Sequence, residues 1–371
     1  MNSRVKTLVG FLVLILGYIL LIGLQTGHLP YNLKEIQLSK AATKNVTKNT
    51  DYGILRDDSP KFKEAMRNAD NEILRFDRYV AVNNPTLIGD KFSFDAPTTA
   101  RLQNVLSNKT FKRKPVTLTI DPNVTFFDIV VPVTAASNNH YGEFKGNIGH
   151  FSKHFPGTKL IFYDIGLGDS QASDTKALPF VSYRKFSFDA YPPHIRNLHN
   201  YAWKLLIIQE VLAEFDGAMW FDTSVKFQGN AGFILERMAR FKTGILFYVG
   251  PTSHSMLAAT NPGMLKYFPL KKTDAFNYMM QASAMIILNT ADVQKHIMKW
   301  ACVCAFKPEC TSPPDSRIHC GPAVFQRYKY AGCHRFDQAL ISILATNLYN
   351  NQQERYSLNR PNGFAVMSRM G

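Results

Sequence analysis

The chain has 371 residues, 46% of them hydrophobic and 12% aromatic, and carries a formal net charge of +15. That apolar content is enough for a substantial core, and the length allows one large domain or two ordinary ones. The basic balance suits acidic or phosphorylated partners, but Lys and Arg are spread along the chain. There is no basic tail, RNP-type motif or zinc-finger spacing, which argues against nucleic acid.

Residues 1–7 form a short basic tail with Arg4 and Lys6, followed by an uncharged apolar run from Leu8 to Leu24. A run of that length reaches the lower limit for a membrane-spanning helix. It is followed by Gln25-Thr-Gly-His-Leu-Pro30, which has no small-residue cleavage site. The positive charges on its N-terminal side predict a signal-anchor with the body of the chain in the lumen. Residues 25–114 read as a stem and N-terminal lumenal region, with a helix expected over 61–79. Asn45, Asn108 and Asn123 each head an N-glycosylation triplet.

Residues 115–371 have a different pattern. Val116–Ile120 alternates as a strand and Asp121-Pro122-Asn123 is a turn. The apolar run Phe126–Val133 reads as a second strand. Thr134–Asn139 then forms a loop of small and polar residues ahead of a helix over 140–155. Lys159–Asp164 and Pro179–Phe188 are further strands. An amphipathic helix from His199 to Phe215 closes on Asp216-Gly217, and the buried strand Ala218–Phe221 then delivers Asp222-Thr223-Ser224 at its end. Strands follow over 244–249 and 282–288, and helices over 290–302 and 334–349. Alternating strands and helices argue an α/β fold with a mainly parallel, Rossmann-like sheet. In such sheets ligands bind at the carboxyl ends of the strands.

All five cysteines lie between Cys302 and Cys333. Clustering behind a signal-anchor favours local disulfides, with Cys304, Cys310, Cys320 and Cys333 as candidates and the pairing open. The spacings are not those of common zinc modules, although His319 and His334 are nearby.

Six motifs together resemble a nematode-rich family of single-pass membrane proteins whose lumenal domain is similar to A-type glycosyltransferases. They are Val131–Ser137, Tyr163–Leu167, Arg196–Lys204, Trp220–Ser224, His254–Pro262 and Cys333–Gln338, within a resembling stretch from Phe126 to Tyr349. The resemblance implies a type II membrane protein of the Golgi or endoplasmic reticulum. It would move a sugar from a nucleotide-sugar donor to a glycan, protein or lipid acceptor. It places Thr134, Ala135, Ser137, Asp164, Arg196, Lys204, Asp222 and Ser224 around the donor, and Asp337 as a catalytic or acceptor-positioning carboxylate. Asp222 and His334 would hold manganese. Ser224 departs from the family's paired acids, and one carboxylate with one hydroxyl holds a divalent cation less tightly than two carboxylates. That departure motivates an alternative, a non-catalytic lumenal or cell-surface binding protein that kept the fold.

Overall fold

The computed structural model describes residues 92–107, 115–117, 124–268, 270–358 and 362–367. All of them belong to one compact unit, Glu64–Gly371. The tail, the apolar run 8–24, the helix expected over 61–79 and Asn45, Asn108 and Asn123 lie outside the described residues, as does the end of the strand expected over 116–120. Among the described residues no helix is long and apolar enough to cross a membrane.

The chain alternates strand and helix, as expected. Helix α1 (Ala96–Ser107) precedes strand β1 (Val130–Ala136), helix α2 (Tyr141–His154), β2 (Leu160–Asp164), α3 (Asp169–Lys176), β3 (Val181–Lys185), α4 (Ala202–Glu214) and β4 (Gly217–Phe221). After a short β5 (Val225–Phe227) and helix α5 (Ile234–Arg240) come β6 (Ile245–Phe247), β7 (Pro251–Ser255), β8 (Tyr278–Met280) and β9 (Ala284–Leu288). Helices α6 (Lys299–Phe306) and α7 (Phe336–Leu348) and strand β10 (Ala365–Met367) complete it. The main sheet has the order β3-β2-β1-β4-β9-β6. β1 through β4 are parallel, and β9 runs antiparallel to both β4 and β6. The fold is therefore α/β with a mainly parallel sheet.

Strands β2, β4 and β9 are buried at every residue, because helices cover both faces of the sheet. Alternate residues feed two cores. Val133, Ile161, Ala218 and Trp220 join α4, α6 and α7 on one face. Val130, Phe162, Met219 and Phe221 meet Phe144 and Phe151 of α2 on the other.

Three local readings change. Phe126–Val133 is not one strand: Asp128 Oδ2 accepts from Thr125 N and Oγ1, both at 2.7 Å, and closes a helical turn over Phe126–Ile129. β1 starts after that turn and runs through Thr134 and Ala135, so these are strand residues rather than loop. Helix α4 is not amphipathic. It is buried nearly all round, Lys204 and Gln209 included, because the sheet lies on one side while α6 and α7 pack against others. The polar helix α3 carries too little apolar periodicity to be read in advance; Gly168 N caps it by donating to Gln171 Oε1 at 3.1 Å.

Gly217 opens β4 rather than serving only as a helix stop. Its register partners are Val130 and Leu288, and an added Cβ would meet Leu288 Cδ2 at 2.6 Å and Val130 Cγ2 at 3.1 Å. Gly217→Ala is expected to cost about 1–3 kcal/mol through overpacking between the two neighbouring strands. Urea unfolding would measure this, and an unchanged midpoint would mean that the strands part freely there.

Cys304–Cys310 and Cys320–Cys333 form disulfides, and Cys302 is free and buried. All four candidate cysteines are thus paired.

Candidate functional site

The strand order reverses direction between β1 and β4: β2 and β3 lie to one side of β1, and β4 lies on the other. In doubly wound sheets this switch point opens a crevice at the carboxyl edge. Thr134 stands there. It is fully buried, and its Oγ1 donates to Phe221 O at 2.7 Å, tying the ends of β1 and β4 together.

Asp222 follows β4 directly. Strand alternation carries it to the face of Ala218 and Trp220, the face that α4 covers. Two contacts result. Trp220 Nε1 donates to Asp222 Oδ1 at 2.8 Å, and Lys204 Nζ of α4 lies 3.1 Å from the same oxygen. Lys204 Nζ also lies 2.9 Å from Asp337 Oδ2 on α7 and reaches Ala282 O at 3.4 Å. One ammonium therefore bridges two carboxylates from different elements. The Lys204 and Asp337 side chains are 4% and 6% exposed, against 35% for Asp222. Asp222 is the member of the cluster that reaches solvent.

Electrostatics follow from that burial. Desolvation alone would push Lys204 down, but the Asp222 and Asp337 carboxylates outweigh it and hold the ammonium above the ordinary lysine value. Burial raises Asp337, with Lys204 opposing and Asp222 reinforcing the rise. The ring of Tyr201 lies 5.6 Å from Lys204 Nζ. Tyr201 has φ 53° immediately before α4, and Phe336 has φ 41° as the first residue of α7. Their ring centroids are 6.0 Å apart. Side chains rarely occupy this left-handed region, and here two that do open the helices carrying Lys204 and Asp337.

The other expected residues are placed as follows. Asp164 at the end of β2 spends both oxygens locally. Oδ1 accepts from Gly166 N and Leu167 N, each at 2.7 Å, and Oδ2 accepts from the Tyr183 hydroxyl at 2.6 Å. Burial would raise this carboxyl, but those three donors together hold it below its usual value. It anchors the turn at Gly166, whose φ of 130° favours glycine. Ser137 Oγ donates to Asn139 Oδ1 at 2.6 Å, and Ala135 packs in the core. Arg196 is half exposed and paired with Asp189 rather than with Asp222 or Asp337. Ser224 is buried and turns toward Met367, with Oγ 4.0 Å from Sδ. Thr223 Oγ1 donates to Glu143 of α2.

His334 does not join Asp222. Its Nδ1 accepts from Asn261 N at 3.1 Å and its Nε2 sits 3.1 Å from Thr311 O, so both ring nitrogens are used by backbone. The residues expected to hold a divalent cation are therefore not gathered at one point. Oδ1 of Asp222 already takes an ammonium and an indole N–H, Ser224 faces elsewhere, and His334 has no lone pair to offer. No group of three or more His, Cys, Asp or Glu among the described residues could hold a metal ion.

Trp220 and Tyr201 complete the cluster and were not expected in it. Their signal was present: Trp220 is two residues from Asp222 on a strand, and Tyr201 is three from Lys204 at the start of a helix.

A family profile described as "Protein of unknown function (DUF1647)" matches residues 69–209. No curated protein matches the sequence. Among solved structures, the mannosyltransferase Ktr4p from S. cerevisiae in complex with GDP is similar at 8% identity and TM-score 0.36. That match covers 76% of this chain and 83% of that one. The galactosyltransferase LgtC with donor and acceptor sugar analogs is similar at 14% identity and TM-score 0.32, covering 64% and 87%. Core-mannan synthase A from Aspergillus fumigatus, in an Mn/GDP form, is similar at 9% identity and TM-score 0.35, covering 63% and 76%.

Proposed function

We propose that the domain binds a nucleotide-sugar at the carboxyl edge of β1 and β4 and transfers the sugar to a glycan, protein or lipid acceptor. The observation that carries this reading is the Lys204 bridge between Asp222 and Asp337 at the sheet's switch point. A structural ion pair has no need to present one carboxylate outward, yet Asp222 uses Oδ1 for both internal contacts. Its Oδ2 makes neither of these contacts and would be the oxygen to meet a ligand. In glycosyl transfer an acceptor oxygen bonds to the anomeric carbon as the bond to the phosphate oxygen breaks, and the diphosphate leaves with the electron pair. Asp222 would hold hydroxyls of the donor for that step. Asp337, buried behind Lys204, is a positioning residue that fixes the ammonium and through it Asp222.

The apolar run Leu8–Leu24 and the paired cysteines support a type II protein of the Golgi or endoplasmic-reticulum membrane with this domain in the lumen. A second reading, a lumenal binding protein without turnover, is favoured by Ser224, which stands at the second acidic position and faces Met367.

Titration calorimetry of the detergent-purified full chain with UDP- and GDP-sugars tests both, with manganese and with chelator. One donor class should bind. Asp222→Ala should weaken it about tenfold or more, the loss of a hydrogen bond to a charged group. Lys204 remains paired with Asp337 in that variant, so the fold should persist. Chelation should change the affinity little, since Lys204 is the resident cation at Asp222. Absence of binding by every donor, or equal binding by Asp222→Ala, would overturn the donor site; sugar release or transfer would eliminate the second reading.

A further inference from the structure

The disulfide Cys320–Cys333 closes a loop that leads directly into the candidate site, with Asp337 four residues after Cys333. The loop is fixed at several points. Ala331 N donates to Ala258 O at 2.9 Å, and Arg335 N donates to Ala259 O at 3.0 Å. A single turn over Pro322–Phe325 packs against β7. Ser255 Oγ of β7 donates to Arg327 O at 2.7 Å, and Arg327 Nε donates to Phe276 O just before β8.

The outer side of this loop is aromatic. Phe325 is 63% exposed, and Tyr278 of the adjoining β8 is 43% exposed. The Arg327 guanidinium lies 5.3 Å from the Tyr278 ring centre and 6.0 Å from that of Tyr328. The rings of Tyr328 and Phe276 meet edge to face at 4.8 Å.

The loop is also cationic. Residues 316–335 contain Arg317, Arg327, Lys329 and Arg335 and no Asp or Glu. Arg327 and Lys329 are exposed, and neither forms an ion pair among the described residues. Arg327 donates to Phe276 O and, at 3.4 Å, to Asn277 Oδ1. Both acceptors are neutral, so its charge is held in place without being cancelled. Of the nearby carboxylates, Asp337 is taken by Lys204 and Asp274 is 9% exposed, while Asp315 stands outside the closed loop.

Exposed rings pack on C–H surface, and uncompensated guanidinium and ammonium groups bind sulfate or carboxylate. A sugar chain that carries such groups presents both features, C–H faces and anions at the ring edges. An acidic peptide offers the charge without the ring faces. Because the loop is already tied down, little ordering remains to oppose binding.

We propose that the Cys320–Cys333 loop docks an anionic glycan, a sugar chain bearing sulfate or uronate groups, as the acceptor of the domain. The acceptor role rests on the transferase reading. The docking does not, and its test uses no nucleotide.

Surface plasmon resonance on the immobilised full chain would use heparin and hyaluronan oligosaccharides as anionic glycans. Dextran is the neutral glycan, and polyglutamate supplies charge without sugar rings. At least one anionic glycan should bind, more weakly as salt rises, and dextran should not. Phe325→Ala combined with Lys329→Ala should weaken binding about tenfold. Both positions are exposed, so the thermal midpoint should hold. Lys145→Ala with Lys153→Ala, exposed on α2, should bind as wild type does, which separates this loop from the general basic charge. Asp222→Ala should also bind the glycan as wild type does, so loss of the donor site and loss of this one are distinguishable. The proposal fails if no anionic glycan binds, or if polyglutamate or dextran binds as tightly as the best of them. It also fails if the α2 variant loses as much affinity as the loop variant.

Discussion

Lys204→Met is expected to destabilise the protein by about 3–5 kcal/mol at pH 7, because it strands a buried charge. Asp337 is 6% exposed and 2.9 Å from Lys204 Nζ, so without the ammonium its carboxylate has neither water nor a counter-ion. The variant's Asp337 would then be raised further than burial already raises it in the native protein. The sign follows. A carboxylate whose folded pKa lies above its unfolded value favours folding when protonated, and that advantage is lost as pH rises through the folded pKa. The deficit of Lys204→Met should therefore be greatest at neutral pH and shrink toward pH 5. Adding Asp337→Asn removes the stranded charge and should recover a large part of the loss. Urea unfolding of the single and double variants at both pH values measures this. A deficit that is flat with pH, or a double variant no more stable than the single one, would show that the ammonium is not what holds Asp337.

Acid is expected to destabilise the wild-type protein through two other buried groups. His254 and His334 are 7% and 0% exposed, and both are pushed down to about 4. Burial is the main cause in each, aided at His254 by the positive Arg335. For a depressed histidine the stabilisation is complete above the unfolded value near 6.5. It is lost as pH falls toward 4, because the unfolded chain takes up the proton first. At pH 5 each histidine should cost about 2 kcal/mol relative to pH 7. His334→Gln can keep an acceptor toward Asn261 N and a donor toward Thr311 O without titrating in this range. It should remove about half of the acid slope. Equal unfolding midpoints for wild type at pH 7 and pH 5 would refute the buried-histidine account.

Much of the architecture was legible from periodicity. The runs at 160–163, 218–221 and 284–288 are apolar throughout, and covered strands must read that way. Where the reading slipped, a short-range contact won. The Thr125–Asp128 cap turned an apolar run into a helical turn and moved Thr134 and Ala135 into β1. The amphipathic reading of α4 allowed the helix a wet face, yet Lys204 and Gln209 are buried. In the fold, helices from after residue 290 cover α4, and no local pattern announces that.

The same division runs through the site. Asp222, Lys204 and Asp337 could be singled out from one strand end and two motif positions, but their meeting could not. Asp164 and His334 looked equally suited to a ligand; their hydrogen bonds to Gly166, Leu167, Tyr183, Asn261 and Thr311 show them consumed by the fold.

The sequence by itself determined the α/β class, the chain order of the main-sheet strands and the position of a carboxylate at the end of the strand after α4. These depend on spacings of two and of three to four residues, which any reader of the chain can count. Tertiary structure alone decided that Lys204 is buried between Asp222 and Asp337, that His334 is unavailable to a cation, and that Gln209 is buried. Each depends on which distant segment covers a side chain, because burial sets both the cost of an unpaired charge and the partners left to meet it.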